Sequence, residues 1–182
     1  MRLFVLAFSL FFTHWGLAAP AANTDEMASF MAERGLMARI GEVGGKVESR
    51  ASELVVNAMA FLGVPYKHGG NSFETGFDCS GFVKAIYQQT AGLILPRRAE
   101  QQAASSQRIE RHDLQPGDLV FFNTMQRAFS HVGIYVGGGK FIHSPKPGAE
   151  VRVEDMGIAY WNSRFDGARR VNTSEQTTAG AP

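Results

Sequence analysis

The chain has 182 residues, 45% of them hydrophobic, with a formal net charge of +1 and one cysteine. So even a balance argues against a protein built for nucleic acid or an anionic membrane surface. A lone cysteine excludes an internal disulfide framework, and the length suits one domain with its own core.

Met1 and Arg2 precede an apolar run from Leu3 to Phe12, broken only by Ser9, and the small residues Ala18 to Ala22 follow around Pro20. A basic start, a short apolar core and the Ala19-Pro20-Ala21 site predict a secretory signal peptide over residues 1–21. The run is shorter than the roughly 20 residues that span a bilayer, and no cysteine stands near the site to take a lipid. The mature protein is therefore expected to be exported, to a periplasm or the medium, without a membrane span or lipid anchor. Residues 22–45, punctuated by Gly35, Gly41, Gly44 and Gly45, are read as a lead-in. From Lys46 the spacing predicts a core helix, with Val47, Ala51, Leu54, Val55, Ala58, Met59 and Leu62 on one face. It ends at Gly63, before Pro65.

A turn-rich loop, Pro65-Tyr66-Lys67-His68-Gly69-Gly70, leads to Gly76-Phe77-Asp78-Cys79-Ser80-Gly81-Phe82-Val83. Asp78 or Ser80 can cap a helix start, and Phe82, Val83, Ile86 and Tyr87 recur on one helical face. Cys79 then lies at a helix N-terminus, where unpaired N–H groups and the dipole favour thiolate. Gly81 in the first turn costs about 1 kcal/mol relative to alanine, so another backbone is expected close against it. A cysteine left unpaired in an exported chain reads as a reactive thiol. Taken alone, without the export signal, it reads more readily as a small buried hydrophobe.

Beyond Leu95-Pro96-Arg97-Arg98, the stretch from Glu100 to Arg111 is polar. Arg97, Arg98, Arg108 and Arg111 could meet an acidic substrate, but a solvated face is the reading preferred for such charges. The second half predicts strands at 118–122, 131–136, 140–143, 150–153 and 168–171, with Gly137-Gly138-Gly139 closing a hairpin. Residues 173–182 have little apolar content and are expected to be a disordered tail. His131 begins one hairpin strand and His143 ends the other, which brings two imidazoles to the same open end. Their shared face depends on a register that the sequence leaves open. If they share one, a thiol and two imidazoles supply nucleophile, base and orienter. Cys, His and His are also zinc ligands, but structural zinc sites pair ligands at close spacing, and none here is so paired.

Asp78-Cys79-Ser80-Gly81-Phe82-Val83, Gly117-Asp118-Leu119-Val120-Phe121-Phe122, His131-Val132-Gly133-Ile134-Tyr135-Val136-Gly137 and Phe141-Ile142-His143 resemble the NlpC-type family of bacterial cell-wall cysteine peptidases. Pro65-Tyr66 with Gly69-Gly70, and Leu95-Pro96-Arg97 with Gln102, fit it in the same order. The resemblance runs from about Ala51 to Val171 and includes Tyr160-Trp161. It implies an α+β, papain-like domain over residues 46–172, with the cysteine helix packed on an antiparallel sheet of about five to six strands. By that likeness Cys79 is the nucleophile, His131 the base and His143 the third, polar member. Tyr66, Asp78 and Ser80 fall on the oxyanion and substrate-binding side. The implied substrate is a peptidoglycan stem peptide or crosslink, cut between D-glutamate and diaminopimelate or across a diaminopimelate crosslink, with no metal or other cofactor. His68 and Arg98 depart from the common family residues beside the cleft and bear on which bond is preferred. Two other uses of the fold are a non-catalytic wall-binding or regulatory module, and acyl or amide transfer by the same Cys–His pair.

Overall fold

The computed structural model describes Gly45 and residues 50–172. The signal peptide, nearly all of the lead-in and the C-terminal tail expected from the sequence lie outside the described residues. Helix α1 covers residues 50–59 and buries Leu54 and Ala58. Leu62, expected on the same face, lies past the helix end in a turn and is exposed. Gly63 turns the chain at φ 83, a conformation that glycine adopts without a Cβ penalty.

The hairpin β1 (Asn71–Ser72) and β2 (Gly76–Phe77) leads into helix α2 (Cys79–Ala91), then α3 (Ala99–Ala104), β3 (Gln107–Ile109) and β4 (Leu119–Phe122). There follow β5 (His131–Gly137), β6 (Lys140–His143), β7 (Arg152–Asp155), α4 (Ala159–Asn162) and β8 (Phe165–Arg170). The main sheet has six antiparallel strands in the order β3-β8-β4-β5-β6-β7. This is the α+β architecture that the motifs imply. Among the described residues no helix is long and apolar enough to cross a membrane.

Two strands depart from their expected limits for identifiable reasons. Val151, read as part of β7, is instead drawn aside: its N–H donates to Val64 at 2.8 Å and its carbonyl accepts from Gly63 at 3.0 Å. The ladder therefore starts at Arg152. β8 begins earlier than expected because Phe165 pairs with Phe122 across a bulge. Strand β3 falls within the polar stretch and carries no strand pattern in the sequence, since this edge strand has no buried face to give it alternation.

The sheet has two apolar faces. On one, Phe82, Val83, Ile86 and Tyr87 of α2 pack with Leu119, Phe121, Val132, Ile134 and Ile142. Full burial of each large side chain contributes roughly 1.5–3 kcal/mol, so this face fixes the helix on the sheet. On the other, Val120, Phe122 and Phe141 pack with Met156 and Trp161. At the start of α2 three backbones meet without side chains between them. A Cβ on Gly81 would lie 2.1 Å from the Gly70 carbonyl oxygen, and one on Gly70 would lie 2.3 Å from that of Gly76. The close approach expected at Gly81 is thus present, and its neighbour is the loop that follows Tyr66.

Candidate active site

Cys79 is the first residue of α2, half-buried and without a disulfide partner. Asp78, not Ser80, caps the helix: its Oδ1 accepts from the Gly81 N–H at 2.8 Å. Its Oδ2 accepts from the Gly69 N–H at 3.0 Å, which ties the preceding loop to the same carboxylate. Arg97 corrects the sequence reading, because it is no surface charge. It donates to both Asp78 oxygens, at 2.9 and 2.6 Å, and to the Ser80 hydroxyl at 3.0 Å. Gln102 is fully buried, and its amide donates to the carbonyls of Ser80 and Pro96 at 3.0 and 2.9 Å. The polar atoms of Asp78 and Ser80 are therefore engaged in holding the cysteine's helix turn, although both residues line the cleft.

Burial pushes the Cys79 thiol up to about 11, and the Asp78 carboxylate adds to it. The N–H groups of Val132, Ser80 and Cys79 pull the other way without reversing the sum. The thiolate preference expected of a helix N-terminus is thus outweighed by desolvation and an adjacent negative charge.

The hairpin register resolves the question of the imidazoles. Ile134 pairs with Ile142, which sets His143 across from Gly133 and places His131 two residues along on the same face. A Cβ on Gly133 would lie 3.2 Å from that of His143, so the missing side chain leaves room for the rings to meet on the diagonal. His131 Nε2 and His143 Nδ1 lie 2.6 Å apart, in a buried hydrogen bond. Burial, then the neighbouring His143, holds His131 well below its ordinary pKa. Burial lowers His143 too, against the opposing pull of Glu154.

Two residues of this site lay outside the sequence assignments. Trp161 stacks on His131, with centroids 5.6 Å apart at 24°, and meets His143 edge-on at 5.1 Å. Glu154 takes the Trp161 indole N–H and lies 3.5 Å from His143 Nε2. Tyr160-Trp161 stood out only as part of a motif. Glu154 fell one residue past the expected end of its strand.

Cys79 and His131 open on one cleft of about 850 Å³, whose lining also includes Tyr66, His68 and Arg98. Tyr66 is held by its N–H to the Ala149 carbonyl at 2.8 Å and by a parallel bridge to Phe77. Burial and the nearby Cys79 and Asp78 raise its phenol, which keeps it a donor.

Residues 63–170 match the model of the NlpC/P60 family. The chain belongs to that family. This NlpC/P60 domain is 42% identical over 131 residues to the murein DD-endopeptidase MepH of Escherichia coli, covering 70% of the chain and 48% of that protein. It is 42% identical over 118 residues to the gamma-DL-glutamyl hydrolase of Bacillus subtilis, covering 64% of the chain and 28% of that protein. A crystal structure of an NlpC/P60 protein from Bacillus cereus superimposes with a TM-score of 0.62 at 36% identity, over 66% of this chain and 39% of that one. The chain thus spans about half the length, or less, of these relatives.

Proposed function

We propose that the chain is an exported cysteine endopeptidase that hydrolyses peptide bonds in peptidoglycan stem peptides or their crosslinks. The observation that carries this reading is that the only cysteine and a hydrogen-bonded imidazole pair serve one cleft. Cys79 is the nucleophile and His131 the base. With Nε2 bound to His143, His131 Nδ1 is the nitrogen that takes the thiol proton. Because burial favours the neutral thiol and the neutral imidazole, proton transfer accompanies attack on the scissile carbonyl. The oxyanion is met by the Cys79 N–H and the Tyr66 hydroxyl. Collapse breaks the C–N bond, and the leaving amine takes the proton from His131, which leaves a thioester. Water then attacks the thioester and passes a proton to His131. The new acid departs, and the sulfur recovers that proton.

Asp78, Ser80, Arg97 and Gln102 hold the nucleophile's turn in place. Arg127 and Lys146 line the cleft without a carboxylate partner among the described residues, which suits a substrate rich in free carboxylates. The test is digestion of purified peptidoglycan fragments by the protein and by its Cys79→Ala and His131→Ala variants, with products identified by mass spectrometry. New stem-peptide fragments from the wild type alone are expected, and their masses name the bond. Full activity in either variant overturns the assignment. Binding to the fragments without turnover by any form identifies a wall-binding module instead.

A further inference from the structure

We infer that Glu154 is a positioning residue that acts through His143, setting the tautomers of both imidazoles so that His131 Nδ1 is free to accept a proton. The inference rests on the reading of His131 as base and adds a member that the thiol–imidazole–imidazole set lacks. Strand pairing lays the three residues out in sequence. His143 pairs with Arg152 and Phe141 with Glu154, so Glu154 stands diagonally from His143, as His143 does from His131. The same sheet face therefore carries His131, His143 and Glu154 on three adjacent strands.

The hydrogen-bond arithmetic leaves little freedom. For His131 to receive a proton at Nδ1, its neutral ring must carry hydrogen on Nε2. That hydrogen is directed at His143 Nδ1, 2.6 Å away, which must then be bare. A neutral His143 accordingly carries its own hydrogen on Nε2. This atom is buried without a hydrogen-bond partner among the described residues, and the group facing it is the Glu154 carboxylate at 3.5 Å. A negative charge there favours Nε2–H over the opposite tautomer, which would reverse the imidazole hydrogen bond and place hydrogen on His131 Nδ1, where the base function is lost. Glu154 is itself held on one side by Arg152 and on the other by the Trp161 indole. The same indole ring stacks on His131, so one side chain fixes both ends of the relay. Contact with His143, followed by the indole and Arg152, keeps the Glu154 carboxyl at about 2 and therefore ionised at neutral pH.

The test is nitrogen NMR of the ¹⁵N-histidine-labelled full chain at a pH where both rings are neutral. It is repeated for Glu154→Gln and Glu154→Leu alongside thermal unfolding. The wild type is expected to show His143 protonated on Nε2 and bare on Nδ1, with His131 the same. Glu154→Leu should shift both rings toward the opposite tautomer and slow alkylation of Cys79 by iodoacetamide at neutral pH. In that variant kcat should fall by about tenfold or more with KM little changed, the pattern of a misoriented base. Hydrogen on His143 Nδ1 in the wild type overturns the inference whether or not a variant is stable, and so do tautomers that stay the same in both Glu154→Gln and Glu154→Leu. The spectra need no substrate, so failure to digest peptidoglycan alongside the expected tautomers overturns the proposed substrate alone.

Discussion

Gly81→Ala separates local helix preference from tertiary packing, because the two predict opposite signs. Alanine is favoured over glycine inside a helix by about 1 kcal/mol. At this position, however, the new methyl would sit 2.1 Å from the Gly70 carbonyl oxygen. Ordinary contact requires one of the two backbones to retreat by roughly 1 Å. That movement strains packing by about 1–3 kcal/mol. It also disrupts the bond from the Asp78 N–H to the same carbonyl, 3.2 Å long and worth about 1 kcal/mol. The net expectation is destabilisation by about 2 kcal/mol, a fall in Tm of about 4–8 °C. Because Cys79 lies two residues away in the same turn, turnover should fall by about 10²-fold, the cost of misplacing a reacting atom by about 1 Å. Thermal unfolding by circular dichroism and kcat on a peptidoglycan fragment provide the measurements. A raised Tm with unchanged kcat would refute the close-packing argument, since helix propensity alone would then have decided the outcome.

Arg97→Met should leave the Asp78 carboxylate without its bidentate partner while keeping most of the side-chain volume. Asp78 is 13% exposed and Arg97 34%, so the loss falls below that of a fully buried pair, at about 2 kcal/mol. Urea titration should show a lower midpoint, and an unchanged midpoint would refute the clamp. Acid should destabilise the domain in two stages. Both histidines are held neutral when folded, whereas the unfolded chain protonates them near 6.5. Below that pH the unfolded state binds more protons and stability falls. Glu154, lowered from 4.5 to about 2, contributes stability above 4.5 that is lost as pH drops toward 2. Unfolding midpoints measured between pH 8 and pH 3 should decline from about pH 6.5 downward. A profile flat to pH 5 would contradict the buried, neutral imidazoles.

Much of this was legible in the residues themselves. Phe82, Val83, Ile86 and Tyr87 show their helix because a 3.6-residue period is written in contiguous sequence, and all four are buried. The glycine turn between β5 and β6 and the position of a histidine at each far end were equally local facts. Gly81, costly inside a helix, announced a close neighbour without naming it. What stayed hidden depended on atoms brought together across the chain. The face shared by His131 and His143 followed from a register that one residue of slip would have reversed. Arg97 looked like a surface charge because the carboxylate it clamps lies 19 residues earlier. Glu154 had no signal of its own, since its place in the site comes from two diagonal steps across three strands. The Cys79 thiol was misjudged in sign because a helix terminus is read locally, whereas desolvation is a property of everything packed around it. Sequence alone therefore determined the cysteine helix, the histidine hairpin and the reactive residue types, as periodicity, turn residues and side-chain chemistry are local. Tertiary structure alone decided which groups touch and how each is charged, because contact and burial are set only when the chain closes on itself.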